Sequence, residues 1–136
     1  MSEDCIFCKI VNGELSCYKI WEDEDFLAFL DINPVSRGHV LVIPKRHYEN
    51  ISDCDDETLG KLNVVCKKIG LMLKDKLGAT GVNIVNASGK DAQQSVFHLH
   101  YHVVARYPED GMDLWFHGKE KFGNQLEEIA KKICGE

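Results

Sequence analysis

The stretch QQSVFHLHYHVVARY, Gln93–Tyr107, places three histidines at alternate positions. Alternation is the period of an extended strand, so His98, His100 and His102 share one face and Leu99, Tyr101 and Val103 the other. A strand is expected over about Val96–Arg106. A chain carrying it must build a sheet, and must then accommodate three imidazoles on one side of an otherwise apolar segment.

The remaining sequence supplies the sheet. YKIWEDEDFLAFLDI reads as two strands, Tyr18–Glu22 and Phe26–Leu30, turning at the acidic EDED. NPVSRG is a loop broken by Pro34 and Gly38. HVLVIPK is a continuous apolar run, as expected of a buried central strand. Asp53 to Asp56 and Glu57 then offer caps and negative charge to a long helix. Leu59, Leu62, Cys66, Ile69, Leu73 and Leu77 form its core stripe, Lys74 and Lys76 occupy its last turn, and Gly78 ends it. GVNIVNA is another strand and ASGKDAQQ a polar loop. CIFCKIVNGEL, near the start, is a short turn or helix ending near Gly13, and NQLEEIAKKIC a terminal helix. The expected fold class is α+β: an antiparallel sheet of about five strands, one long helix on one face, and a short C-terminal helix.

Length and charge bound the function. The 136 residues suit a single domain, 1–136. A net charge of −6 argues against a nonspecific nucleic-acid binder. No apolar run is long enough for a membrane span. The start, MSEDCIFCKI, is acidic and lacks the apolar core of a secretory signal. A soluble, cytoplasmic protein is expected. Thiols stay reduced there, so the close pair Cys5 and Cys8 reads as a metal site. Cys17, Cys54, Cys66 and Cys134 read as buried small apolar residues.

Three chemistries fit alternate histidines: a polar strand face in water, chelation of a metal by an H-x-H pair, and nucleophilic catalysis by one imidazole with its neighbours as helpers. Upstream residues favour combining the last two. Cys5, Cys8, His47 and His98 make a Cys2His2 set, enough for a closed tetrahedral Zn²⁺ site. The competing readings are thioredoxin-like redox chemistry for C-x-x-C and a surface position for His47. With His98 used by metal, His100 and His102 remain. Same-face neighbours on a strand lie roughly 6.5–7 Å apart, so the two centres would be adjacent but distinct. A neutral imidazole attacks phosphorus well, and Gln94 and Ser95, just before the strand, could donate to phosphate oxygens.

HLHYHVV resembles the signature of the histidine triad (HIT) superfamily of nucleotide hydrolases and transferases. FLAFLDINPVSRGHVLVIPKRH is similar to its nucleoside-binding region, and the spacing of Cys5, Cys8, His47 and His98 to that of its zinc-binding prokaryotic and protozoan members. The nearest branch is the histidine triad nucleotide-binding (Hint) proteins. This resemblance implies that His100 is the nucleophile, that His102 bonds phosphate, and that His39 sits behind the site and holds the nucleophile's ring. It implies that Ser95 bonds phosphate or the leaving group with Gln94 beside it, and that Phe29, Asp31, Ile32 and Asn86 bind the nucleotide. It also implies structural zinc, a homodimer whose sheets join across a two-fold axis, and hydrolysis of purine nucleoside phosphoramidates or aminoacyl-adenylates. The rivals are a dinucleoside polyphosphate hydrolase, a nucleotide-binding or interaction protein with little turnover, and a metal-dependent hydrolase using H-x-H. Taken alone, Phe29 and Ile32 read as core, Asp31 as a turn cap and His39 as a satisfied core histidine.

The sequence departs from the family in three places. Gln93 stands where a small Gly is usual. The loop from Asn86 to Ser95 is one residue longer than in Hint proteins. The tail, 111–136, expected to bear on specificity and dimerisation, lacks the Trp-Pro-Pro-Gly ending of animal Hint proteins, and its His117 has no assigned role.

Overall fold

The computed structural model describes residues 4–116 and 121–135; His117 lies outside them. Five strands form one sheet: β1 (Lys19–Glu22), β2 (Phe26–Leu30), β3 (His39–Pro44), β4 (Gly81–Asn86) and β5 (Tyr101–Arg106). Their order is β1-β2-β3-β5-β4, and every neighbouring pair is antiparallel. The hairpin joining β1 to β2 turns where EDED predicts. Asp23 makes the turn locally, its Oδ1 accepting from the N–H groups of Asp25 and Phe26 at 2.8 and 2.7 Å. β1 is short and its register slips between Lys19 and Trp21.

A long helix, α2 (Asp56–Leu77), crosses from β3 to β4. It starts because the Asp55 side chain accepts from the Thr58 N–H, and it stops because Gly78 takes φ 73°, a left-handed geometry that glycine adopts without a Cβ clash. The expected stripe faces inward: Leu62, Cys66, Ile69 and Leu73 are buried, and Leu59 and Leu77 pack at its ends. It lies on Ala28, Val40, Val42, Leu99, Val103 and Ala105.

The opposite face is covered too, which the sequence reading had left bare. A short helix, α1 (Ile6–Val11), brings Cys5, Phe7 and Cys8 onto Leu27, Phe29, Leu41 and Ile43. β3 therefore has cover on both sides, and all six of its residues are buried. That is the physical meaning of its uninterrupted apolar run.

Two other expectations need correcting. The histidine strand is shorter than Val96–Arg106, because the chain bends at Val96–His98 and β5 begins only at Tyr101. The main chain ahead of it is held from elsewhere: the Leu99 N–H donates to the Tyr48 carbonyl at 2.7 Å. Of the scattered cysteines, Cys54 and Cys66 are buried, Cys17 is half-buried and Cys134 is exposed; all are free thiols. Burial pushes the Cys66 thiol up to about 12, so it stays protonated. The terminal helix, α3 (Leu126–Cys134), forms as expected, with no buried residue. Among the described residues no helix is long and apolar enough to cross a membrane.

Gly38, just before β3, has φ 118°, and a Cβ there would lie 3.0 Å from the Ala105 Cβ and 3.1 Å from methyls of Leu73 and Leu77. Gly38→Ala should lose about 2–3 kcal/mol of stability through overpacking and backbone strain, read as a lower midpoint in urea.

Candidate active site and metal centre

The mixed cluster under α1 joins residues far apart in the sequence, Cys5 and Cys8 with His47 and His98. Cys5 caps α1, its Sγ accepting from the Cys8 N–H at 3.4 Å, and one helical turn brings the two thiols together. His47 follows β3, and His98 lies fully buried before β5. The His98 Nε2–H donates to the Pro44 carbonyl at 2.8 Å. That bond leaves Nδ1 as the lone-pair atom, facing Cys5 Sγ at 3.3 Å, Cys8 Sγ at 3.5 Å and His47 Nδ1 at 3.2 Å. Cys8 Sγ lies 3.4 Å from His47 Nδ1. A tetrahedral zinc with ordinary Zn–S and Zn–N bonds has N···N and S···N edges of about 3.3–3.6 Å. The four donor atoms, all within 4.8 Å of one another, therefore fit such an ion without rearrangement.

His100 and His102 face away from this cluster into a cavity of about 540 Å³. Phe29, Asp31, Ile32 and Ser95 line it with them, so the structure gathers six of the expected residues around one space. Of these, Phe29 is buried and Ile32 is exposed.

Hydrogen bonds fix the tautomers of the rings. The His98 carbonyl can only accept, so His100 donates Nδ1–H to it at 2.8 Å and keeps its lone pair on Nε2. The Val35 N–H donates to His39 Nδ1 at 3.2 Å, so the neutral His39 ring carries its proton on Nε2. That proton is donated to His102 Nδ1 at 2.8 Å, and His102 in turn carries its own proton on Nε2. One ring thus offers a lone pair and the next an N–H donor, with ring centres 5.2 Å apart. Burial lowers the affinity of all four imidazoles for a second proton: His98 and His102 fall to about 4, and His39 and His100 move in the same direction. Asp31, whose Oδ2 lies 3.4 Å from His39 Nε2, opposes the shift without reversing it.

Three expected roles change. His39 holds His102 rather than the nucleophile's ring; the His100 ring is held by its own neighbour's carbonyl. Gln94 is buried and does not line the cavity. Its amide donates to the Glu49 and Val96 carbonyls at 2.7 and 3.0 Å and accepts from the Gly89 N–H at 2.8 Å, bracing the loop. Asn86 also lies outside the cavity lining, turned toward the main chain of His100. Gln93 takes φ 69°, a left-handed geometry in which a glycine would be unstrained. One contributor escaped the sequence reading. Phe7 meets His100, His98 and Phe29 edge-on with centres 5.2, 5.9 and 5.5 Å away, and so packs both centres against one ring. Its signal was the apolar pair inside C-I-F-C.

Comparison with known proteins follows the same lines. A family model described as HIT domain matches residues 12–109. An uncharacterized HIT-like protein of Methanocaldococcus jannaschii is 47% identical over 131 residues, covering 96% of this chain and 99% of the relative. The adenosine 5'-monophosphoramidase hnt1 of Schizosaccharomyces pombe is 39% identical over 134 residues, covering 95% and 98%. The crystal structure of a Zn-bound histidine triad family protein from Mycobacterium smegmatis superposes with a TM-score of 0.79 at 39% identity, covering 98% of each chain.

The buried rings have a consequence for stability. The unfolded chain protonates His102 near 6.5, while the folded protein resists until about 4. Stability should therefore fall as pH drops from 6.5 toward 4 and level off below. His102→Gln, whose amide still accepts from His39 but does not titrate, should lose less between pH 7 and pH 4.5 than the wild type, both in chelator. Equal losses in urea midpoints would count against this account.

Proposed function

We propose a function from one premise: this chain belongs to the HIT domain family. It is a nucleotide-binding hydrolase that cleaves the α-phosphate bond of purine nucleoside phosphoramidates or aminoacyl-adenylates. The observation that carries this reading is the pairing of tautomers in the cavity, His100 with its lone pair on Nε2 beside His102 with a donor on Nε2. His100 Nε2 attacks the α-phosphorus. The bond to the amine or carboxylate breaks, and an amine leaves with a proton from Ser95 or solvent. A nucleotidyl-histidine results. Water then attacks phosphorus and gives its proton back to Ser95 or solvent, the P–N bond breaks with its electron pair returning to His100 Nε2, and the nucleoside monophosphate departs. The His102 N–H supports the charge that gathers on the phosphoryl oxygens, and catalysis rests on positioning and charge stabilisation. Phe29 and Ile32 offer apolar contact to the nucleoside, and Asp31 suits a ribose diol.

Cys5, Cys8, His47 and His98 would hold zinc. Bound there it is structural, a crosslink with no open coordination position. The S. pombe relative's activity and the zinc of the M. smegmatis structure support both halves of this reading. A homodimer in the cytoplasm completes it, with the tail 111–136 contributing to specificity and contact between copies. The exposed Ile84 and Val85 of edge strand β4, and the exposed Leu126 and Ile133 of α3, support such contact.

Turnover of a fluorogenic adenosine phosphoramidate should be clear in the wild type and at least about a thousandfold weaker in His100→Ala. Preference for a dinucleoside triphosphate would instead favour a dinucleoside polyphosphate hydrolase, and inactivity on both would leave a binding protein. Metal analysis should find about one zinc per chain in the wild type and much less in Cys8→Ser. Zinc near zero in both would refute the metal site.

A further inference from the structure

The nucleophile sits where the sheet stops. β4 and β5 pair from Gly81 opposite Arg106 to Asn86 opposite Tyr101, and His100 is the first residue beyond the paired ladder. Its carbonyl is taken by a side chain: Asn86 Nδ2 donates to His100 O at 3.0 Å. The carbonyl can only accept, which sets the orientation of that amide, and a second bond anchors its other end. Ser88 Oγ accepts from the Ile51 N–H at 3.2 Å, so its own proton goes to Asn86 Oδ1, 2.8 Å away. With Oδ1 accepting there, Nδ2 must face the carbonyl. His100 is therefore held at two points, its ring by the His98 carbonyl and its main chain by Asn86.

From this geometry we infer that Asn86 is a positioning residue for His100, extending the sheet's grip by one side-chain bond so that Nε2 is aimed into the cavity, rather than a nucleotide contact. The inference rests on the reading of His100 as nucleophile. A small displacement of a reacting atom can reduce rate about a hundredfold, so a residue that touches no substrate can still control the chemical step. Ser88 supports the same role at one remove, since without its hydroxyl the amide of Asn86 is anchored only by its bond to the His100 carbonyl.

The test compares wild type, Asn86→Leu and Ser88→Ala in three measurements: kcat and KM on the adenosine phosphoramidate, AMP affinity by calorimetry, and the ¹⁵N–¹H resonance of the His100 ring. Asn86→Leu should lower kcat about 10- to 100-fold. AMP affinity should stay within about twofold of the wild type, and the His100 Nδ1–H signal should shift or broaden as its bond to His98 loosens. Ser88→Ala should change the same quantities in the same direction by less, and it carries the comparison alone if Asn86→Leu does not fold. A loss of AMP affinity with kcat intact would overturn the inference in favour of direct nucleotide binding. An unmoved kcat with an unmoved His100 signal would overturn it as well. If the wild type turns over no nucleotide, the proposed function fails by itself, and the ring resonance and AMP affinity still decide what Asn86 does.

Discussion

A single hydrogen bond, from His98 Nε2–H to the Pro44 carbonyl at the end of β3, organises both centres. It is fully buried, so a neutral ring with the opposite tautomer would leave two polar groups unsatisfied, and that arrangement is strongly disfavoured. With Nε2 committed, Nδ1 must face the thiols, and the cluster under α1 acquires its fourth donor. The same residue's carbonyl orients the next ring, so the lone pair of His100 points away from the cluster. The Cys2His2 cluster and the proposed nucleophile are thus oriented by one residue, through its ring on one side and its main chain on the other. Phe7 packs against both rings and keeps the two environments apart.

Much of this was legible in the residue pattern, for reasons that differ from element to element. α2 was readable because an apolar stripe at helical spacing between an aspartate cap and Gly78 has few other solutions. β3 was readable as buried because a strand with two covered faces needs no polar alternation. The alternation at His98, His100 and His102 gave the right faces but too long a strand. Its side chains do alternate, since Leu99 joins the α2 core while its neighbours meet Phe7, yet the ladder begins only at Tyr101. Periodicity reports which way side chains point, not whether a partner strand is present.

The placements least legible in the sequence are those of polar residues. Gln94 was expected at the phosphate because polar residues near an attacking imidazole suit phosphate oxygens, and Asn86 was expected at the nucleotide from the family resemblance. In a loop without regular pairing, main-chain groups must find partners somewhere, and amide side chains are the nearest supply. Composition does not distinguish an amide that faces a ligand from one that completes the backbone. His39 illustrates the same limit, since its place behind the site was foreseen but its partner depended on which nitrogen the Val35 N–H occupies.

The two margins of the sheet are unlike. β1 is short, slips in register, and places Glu22 between Lys19 and Lys45 at 2.6 and 2.7 Å, so its border is charged and irregular. β4 pairs regularly along its whole length and leaves its outer border apolar at Ile84 and Val85. Protein sheets avoid runaway stacking by guarding their borders. In the homodimer proposed above, a second copy joined β4 to β4 would present its own guarded border outward, and growth would end at two. For the proposed homodimer, the asymmetry between the first strand and the fourth would act as a stop signal for polymerisation, carried by the same fold that holds the site.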